Sequence, residues 1–322
     1  MAEPLFDTYG RKHDYLRVSL TERCNLRCRY CMPEEGIELS PRKHICTREE
    51  LLWLIDEFIR LGVKKIRLTG GEPLVRKDAG EIIDALAERP VSLAMTTNAV
   101  LIDRHIERLK RAGLTNLNVS LDALDADRFL MMTRRTNFDK VMSNIDLLIR
   151  EGFNLKINCV VIRGMNEAEI PGFVEWTRNQ PISVRFIEFM PFDGNRWQTE
   201  KMVSYAEIMD HIREYFSFEK LEDAPNDTTK HYRVPGYRGN FGVISSMTEH
   251  FCGSCNRIRL MANGAIKNCL FSDSETDLLT PLRNNEAVEP IIRQAITNKK
   301  AKHAGMDNIS KQTNRTMTTI GG

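Results

Sequence analysis

Two groups of three cysteines are the residues of this chain best suited to carry out chemistry. Cys24, Cys28 and Cys31 lie in the short run CNLRCRYC, with the spacing C-x3-C-x2-C. Thiolates are the ligands that iron–sulfur clusters take, and three of them leave one iron of a four-iron cluster free to bind a small molecule. The alternative is a zinc site, although zinc usually takes four ligands and no partner pair of cysteines lies nearby in the sequence.

The second group of cysteines lies late in the chain. Cys252 and Cys255 form a C-x2-C pair, and Cys269 follows after thirteen intervening residues. The dipeptide Asn263-Gly264, between two alternating runs, predicts a hairpin with a type I′ turn, which would bring Cys269 back towards the pair. Three thiolates again fit a four-iron cluster with one open iron, and zinc is again the alternative.

Cationic residues occur where buried strands are predicted. Arg257 and Arg259 are two residues apart on a predicted strand and therefore share a face, as a phosphate site requires. The alternative for these two arginines is a solvated strand face. A charge inside a parallel strand is costly unless it is paired, because both faces of such a sheet are covered. Ion pairs with Asp122 or Glu188 are the alternative, but cations in successive strands favour an anion site. The further cations of this kind are Arg17, Arg67, Lys156 and Arg185.

The composition excludes little but sets limits. With Lys+Arg 46 against Asp+Glu 44, the formal charge is +2 over 322 residues, so no overall field indicates nucleic acid or membrane as a partner. No apolar run reaches membrane-spanning length, and the first fifteen residues resemble neither a signal nor a transit peptide. The eight cysteines do not form the even pattern of a secreted disulfide framework, which indicates a reducing compartment.

Strand and helix patterns alternate along the first 190 residues. The patterns predict strands at 14–20, 64–69, 91–96, 114–121, 154–162 and 182–189, with helices between them, including one long helical stretch that ends at Gly152. Thr47 and Glu50 form a capping box at the start of the first helix. Six such units predict parallel βα architecture, either an open sheet or a barrel, with polar residues gathered at one rim where the strands end.

The motifs together resemble one family. The first cysteine loop, with Tyr30 before its last cysteine, resembles the signature of the radical S-adenosylmethionine (SAM) superfamily. The motifs LTGGEP, VSLDA, RFIEFMPFDGN and HFCGSCNRIRL, followed by Gly321-Gly322 at the end, make the chain similar to the MoaA family (GTP 3′,8-cyclase) over about residues 6–322. That family catalyses the first step of molybdenum-cofactor biosynthesis.

The resemblance implies an α/β fold, a partial (βα)6 barrel in residues 1–190, with an extension in 191–322 that carries the second cluster. It implies two [4Fe–4S] clusters, one on each cysteine triplet, with SAM at the first and the guanine of GTP at the second. A 5′-deoxyadenosyl radical would remove the ribose 3′ hydrogen of GTP, and the resulting radical would attack guanine C8. The residues that would line the SAM pocket are Tyr30, Gly71, Ser120 and Met190.

The resemblance also implies a set of GTP contacts. The matching positions are Arg17, Arg67, Thr97, Lys156, Arg257 and Arg259, with Lys65 and Arg185 as weaker candidates. It suggests that the Gly321-Gly322 tail reaches back to the active site. One residue departs from the family pattern: Ala99 follows Thr-Thr-Asn where members usually carry glycine. If this turn needs a positive φ, alanine costs about 1 kcal/mol and could displace Thr97.

The expected partners are GTP, an electron donor and a downstream pyranopterin-forming enzyme, with a second copy of the chain as a further candidate. No nucleic acid or membrane is expected. The expected compartment is the cytoplasm, or the mitochondrial matrix in a eukaryote. Two other functions stay open. One is a radical SAM enzyme that modifies peptides, although these usually carry more C-terminal cysteines. The other is a non-catalytic zinc-binding protein.

Overall fold

A computed structural model describes residues 3–272, 274–303 and 315–321. Its centre is a sheet of twelve strands in the order β12-β11-β10-β1-β2-β3-β4-β5-β6-β9-β8-β7. The eight strands from β10 to β9 are parallel, and two antiparallel strands follow at each edge. The strands are β1 Tyr15–Ser19, β2 Lys65–Thr69, β3 Ser92–Thr97, β4 Asn116–Ser120, β5 Asn154–Val161, β6 Ser183–Glu188, β7 Glu219–Lys220, β8 Lys230–Arg233, β9 Asn240–Ile244, β10 Arg257–Leu260, β11 Ala265–Lys267 and β12 Thr276–Asp277.

Helices connect β1 to β6, and further helices follow β6 and the last strand, β12. Their ranges are α1 Arg48–Arg60, α2 Ala79–Ala87, α3 Ile106–Arg111, α4 Ala126–Thr133, α5 Phe138–Arg150, α6 Ile170–Trp176, α7 Tyr205–Arg213, α8 Leu279–Arg283, α9 Glu289–Thr297 and α10 Met317–Ile320. At the start of α1 the hydroxyl of Thr47 accepts from the Glu50 amide, and the Glu50 carboxylate accepts from the Thr47 amide, which confirms the predicted capping box. No helix among the described residues is both long enough and apolar enough to cross a membrane.

All six strands predicted in the first 190 residues are present, with ends shifted by up to two residues. The long helical stretch before Gly152 is wrong, because it is two helices, α4 and α5. The break follows from Arg134, which ends α4 with φ 55°, in the left-handed region that stops a helix.

The hairpin between β10 and β11 is present, but its turn is not type I′. Type I′ needs a positive φ at both central residues. Of the Asn263-Gly264 pair only Gly264 has one, at 76°, and its amide donates to the Met261 carbonyl. The hairpin still brings Cys269 back towards the start of β10, because β11 runs antiparallel to β10.

Residues after 190 extend the sheet at both edges. β9 pairs with β6, and β10 pairs with β1 from the other side. The partial barrel is thereby widened by strands from the end of the chain. The division into a 1–190 core and a 191–322 extension stays a prediction.

The side chains of β1 show how the sheet divides its two faces. Leu16 and Val18 are fully buried in the hydrophobic core beneath the helices. Tyr15 and Arg17 alternate with them and therefore point to the inner face. Because the outer face supplies most of the apolar packing, the inner face is available for polar chemistry.

Candidate active site

The inner face encloses a cavity of 590 Å³ that both cysteine triplets line. The volume lies in the range usual for small-molecule sites. Every residue that the sequence analysis assigned to SAM or GTP contacts this same cavity: Arg17, Tyr30, Arg67, Gly71, Thr97, Ser120, Lys156, Met190, Arg257 and Arg259. The structure brings these residues together, while the role of each stays a prediction.

The two triplets lie at opposite ends of the parallel strands. Cys24, Cys28 and Cys31 follow the carboxyl end of β1. Cys252 and Cys255 precede the amino end of β10, which is parallel to β1. The expectation of one polar rim is therefore wrong, because the predicted residues run through the barrel from one end to the other.

Glu72 ties the loops after β2 and β3 to the first cysteine loop. Its carboxylate accepts from the Thr97 hydroxyl at 2.8 Å, the Asn98 amide at 2.7 Å and the Leu74 amide at 3.2 Å. The Asn98 side chain in turn donates to Cys24 Sγ at 3.7 Å. Burial raises the pKa of Glu72 to about 7, although these donors oppose the rise. The first cysteine loop is thus held by buried polar contacts.

The turn after β3 does require a positive φ. Ala99 has φ 61° and is fully buried, so alanine costs about 1 kcal/mol relative to glycine here. Thr97 keeps its place, since the Ala99 amide donates to its hydroxyl at 3.1 Å. Because that hydroxyl also donates to Glu72, a GTP contact by Thr97 would have to share it.

The other predicted SAM contacts surround the same loop. The Tyr30 hydroxyl donates to the Asp122 carboxylate. The Asn195 side chain donates to the carbonyls of Met190 at 2.8 Å and Tyr30 at 3.2 Å. Ser120 ends β4 and lines the cavity.

Asp122 accepts from the Val160 amide and Glu188 from the amides of residues 205, 247 and 248, so neither is an ion-pair partner for the strand cations.

Gly71 gives a direct test of the SAM pocket. A Cβ on Gly71 would lie 2.4 Å from the Arg23 carbonyl oxygen, which belongs to the backbone before Cys24. Gly71→Ala is therefore expected to displace this loop and to weaken SAM binding about tenfold or more. Equilibrium binding of SAM to the reconstituted protein measures this. Gly172→Ala is the control, since its Cβ would meet the end of the Leu124 side chain at 3.2 Å. Equal SAM affinity in both variants would contradict the assignment.

The first triplet consists of thiols, the ligands that iron–sulfur clusters take. Within the described ranges, no group of three His, Cys, Asp or Glu side chains is placed to hold a metal ion. A zinc ion needs its thiolates to converge at ~2.3 Å, whereas a cluster takes thiolates on separate irons. Burial and Glu72 raise the pKa of Cys24 to about 11, so a bound metal must supply the charge that deprotonates it.

The second triplet lies among cations. Lys299 is buried, and its ammonium donates to Cys255 Sγ at 3.4 Å and to the Arg257 carbonyl at 2.8 Å. Arg11 donates to the Cys252 carbonyl at 2.7 Å. Burial opposes thiolate formation at Cys255, but the charges of Arg257 and Lys299 outweigh it and lower its pKa to about 6. Burial raises the pKa of Cys252, so the cations favour a thiolate at Cys255 in particular.

Cations from several strands line the cavity between the triplets. Arg259, Arg17 and Arg67 lie side by side in the register of β10, β1 and β2. Burial and their mutual repulsion lower the pKa of Arg17 to about 10 and of Arg259 to about 9. Burial, with the charges of Arg185, Arg67 and Lys65, likewise lowers the pKa of Lys156 to about 8. An anion bound here would relieve this repulsion.

Several buried polar atoms of the cavity lack a hydrogen-bond partner among the described residues. Such atoms are rare in folded proteins, and they indicate a ligand site. They belong to Thr96, Asn118, Asn158, Arg185 and Arg257. The sequence analysis gave no role to Asn118, yet Asn118 precedes Ser120 by two residues and so shares its inward face. Tyr15 was missed in the same way, although it precedes Arg17 by two residues.

The C-terminal tail reaches this cavity. The Arg259 guanidinium donates to the carbonyl of Gly321. A Cβ on Gly321, which has φ 85°, would lie 2.8 Å from the Thr69 hydroxyl and 2.9 Å from Ser19 Cβ. The close approach therefore requires glycine at this position. Gly322 lies outside the described residues.

Comparisons with known proteins first give the class. The Radical SAM superfamily model matches residues 18–177, which contain the end of β1, the first cysteine loop and the whole of β2 to β5. The Molybdenum Cofactor Synthesis C model matches residues 182–305, which contain the second triplet. The sheet and the first triplet are thus those of a radical SAM protein.

Relatives then give the family. A mitochondrial GTP 3′,8-cyclase of Arabidopsis thaliana is 50% identical over 100% of this chain and 84% of its own length. The GTP 3′,8-cyclase of Alkaliphilus oremlandii is 39% identical over 98% of this chain and 99% of its own. Human molybdenum cofactor biosynthesis protein 1 is 46% identical, and this chain spans 51% of its length. The chain belongs to the GTP 3′,8-cyclase family.

Solved structures agree on the fold. Streptococcus suis SuiB has a TM-score of 0.62 with 15% identity, over 90% of this chain and 68% of that one. SuiB bound to S-adenosylmethionine gives a TM-score of 0.59 over 84% and 65%. Together with the open mixed sheet, this confirms the predicted partial barrel.

Proposed function

We propose that this chain is a GTP 3′,8-cyclase, which converts GTP to (8S)-3′,8-cyclo-7,8-dihydroguanosine 5′-triphosphate in molybdenum-cofactor biosynthesis. The observation that carries the proposal is one cavity with a thiol triplet at each end and cations from several strands between them. A peptide substrate would not need a buried row of guanidiniums, whereas a triphosphate does.

Each group of residues has a proposed role. Cys24, Cys28 and Cys31 would hold the cluster required by the radical SAM class, and Cys252, Cys255 and Cys269 a second [4Fe–4S] cluster. When bound, the first cluster supplies the electron that splits SAM into methionine and a 5′-deoxyadenosyl radical. The side chains of the SAM pocket orient SAM, and the strand cations bind the triphosphate of GTP. The walls would exclude water while C3′ of the ribose, having lost its hydrogen to the 5′-deoxyadenosyl radical, bonds to guanine C8. The radical left on the product would then take up one electron from the electron donor and one proton.

The remaining partners follow from this chemistry. The chain would need a one-electron donor and a downstream enzyme that builds the pyranopterin from its product. It would work in a reducing compartment, either the cytoplasm or the mitochondrial matrix. The Arabidopsis relative is named as mitochondrial.

Anaerobic reconstitution tests the proposal. We expect about eight irons per chain from two four-iron clusters, and 5′-deoxyadenosine together with a cyclised nucleotide when dithionite, SAM and GTP are added. Mass spectrometry identifies both products. SAM cleavage without a GTP product would contradict the substrate but keep radical chemistry. Zinc in place of iron would contradict the whole proposal.

A further inference from the structure

Tyr15 lies at the centre of the strand cations. Its register neighbours are Lys65 on β2 and Arg257 on β10, and Arg17 lies two residues along on the same face. Arg67 Nε donates to the Tyr15 hydroxyl oxygen at 2.6 Å. The ammonium of Lys65 lies 4.8 Å from the centroid of the Tyr15 ring. Charged groups from β1, β2 and β10 therefore all face this one phenol.

Two hydrogen bonds fix the guanidinium of Arg67. Its Nη1 donates to the Met95 carbonyl at 2.8 Å while Nε donates to Tyr15. Arg67 is only 4% exposed. An arginine side chain that a ligand must immobilise loses conformational entropy on binding. Hydrogen bonds that already fix the Arg67 guanidinium reduce that cost. The Tyr15 hydroxyl also bonds to Arg17, so one oxygen orients two arginines.

A phenol suits this position better than a carboxylate. A permanent negative charge among the cations would repel a triphosphate in the same cavity. Burial raises the pKa of Tyr15, but the charges of Arg67, Arg17 and Lys65 outweigh burial and lower it to about 7. The phenol can therefore lose its proton when the cavity is empty, because these cations favour a negative charge on its oxygen. It can also become neutral when an anion enters.

We propose that Tyr15 is a positioning residue of the nucleotide site: its hydroxyl oxygen holds Arg67 and Arg17 towards the triphosphate without adding a permanent negative charge. This inference rests on the proposed GTP substrate. It assigns a role to a residue that touches the arginines and acts through them.

The proposal has a pH signature. A bound triphosphate raises the pKa of Tyr15, so GTP binding takes up a proton there and GTP affinity falls as pH rises through about 7. Lys156, with its pKa lowered to about 8, adds a further fall at higher pH, because it must stay protonated to attract phosphate. Tyr15→Phe removes the first effect and keeps the second, and the phosphate groups of GTP titrate equally in both proteins.

The experiment measures the Kd of GTP for the anaerobic, reconstituted holoenzyme from pH 6.5 to 8.5, and KM and kcat under the same conditions. Tyr15→Phe keeps the ring and loses the hydroxyl. We expect its Kd at pH 6.5 to rise about tenfold and its affinity to fall less steeply with pH than that of the wild type. KM should change more than kcat. The Kd for SAM, whose proposed pocket lies at the other end of the strands, should stay within about twofold.

Two further variants complete the test. Tyr205→Phe is the matched control, because its hydroxyl bonds to that of Tyr232 at 2.5 Å outside the cavity lining, and it should bind GTP as the wild type does. Arg67→Lys keeps the charge and loses the Nε donor, and it should weaken GTP binding about tenfold on its own. In that background, Tyr15→Phe should have less than about a twofold further effect on GTP binding.

The outcomes separate the two proposals. A wild-type protein that binds no GTP refutes the proposed function. A wild-type protein that binds GTP, with Tyr15→Phe unchanged in Kd and pH profile, refutes only the role of Tyr15. The role of Tyr15 is also refuted if Arg67→Lys binds GTP with wild-type affinity, a result that needs no Tyr15 variant. It is refuted as well if the effects of Tyr15→Phe and Arg67→Lys on GTP binding are additive.

Discussion

Cys28→Ala is expected to abolish SAM cleavage. Cys28 lies between Cys24 and Cys31 in a loop that offers three thiols to one cavity, and two thiolates do not hold a four-iron cluster in place. The measurement is 5′-deoxyadenosine formed under dithionite. Iron per chain should fall by about four, since the second triplet is intact.

Cys159→Ala is the matched control for the loss of a thiol. Cys159 is 1% exposed within the hydrophobic core and is not part of the cavity lining. Its replacement by alanine should leave SAM cleavage unchanged. A Cys28→Ala protein that still makes 5′-deoxyadenosine would refute the cluster assignment of the first triplet.

Arg257→Ala combined with Arg259→Ala is expected to keep SAM cleavage but to lose the cyclised nucleotide. Both arginines line the cavity on β10 beside the second triplet, and charge-assisted contacts of this kind are worth about 2–5 kcal/mol each when buried. Product formation should therefore fall at least a thousandfold. The measurement is the ratio of cyclised nucleotide to 5′-deoxyadenosine in one reaction.

The same double variant is expected to unfold at about the same temperature as the wild type, because the charge that it removes is unfavourable in the folded state. Burial and the charges of Arg17 and Arg257 lower the pKa of Arg259 to about 9, so the folded state disfavours the charged form. Removing that charge offsets the lost packing, and the temperature of unfolding checks this. Arg233→Ala with Arg238→Ala is the control, since both arginines are exposed.

Full product formation by Arg257→Ala with Arg259→Ala would mean that the two arginines do not bind substrate.

The sequence predicts the fold well where periodicity and punctuation agree. The six parallel strands and the capping box at Thr47 follow from local pattern alone, because apolar and polar residues alternate along strands such as β1 and β5. The split between α4 and α5 was missed, since Arg134 adopts a left-handed φ that is rare for arginine. Tertiary contacts, such as its donation to the Arg27 carbonyl at 2.9 Å, hold it there.

The site was predicted in its residues but not in its arrangement. Cysteine spacing predicts both triplets and cations in buried strands predict an anion site, and the structure brings these residues to one cavity. No local pattern indicates that β10 pairs with β1, so the sequence could not place the two triplets at opposite ends of the strands. Tyr15 and Asn118 were missed because a tyrosine or an asparagine in a strand carries no charge to be explained. Their spacing alone could have indicated them, because Tyr15 lies two residues before Arg17 and Asn118 two residues before Ser120, on the same face of each strand.

The pairing of β10 with β1 also bears on how the chain is made. Asp14 and Asn256 join across 242 residues of sequence, so the edge of β1 stays uncovered until β10 has left the ribosome. Non-local pairing of this kind slows folding, and an open edge invites association with other chains. Inward-pointing Arg17, costly in the finished barrel, makes that waiting edge a poor template for aggregation. Arg17, which we propose to contact GTP, would thus also protect the uncovered edge of β1 during synthesis.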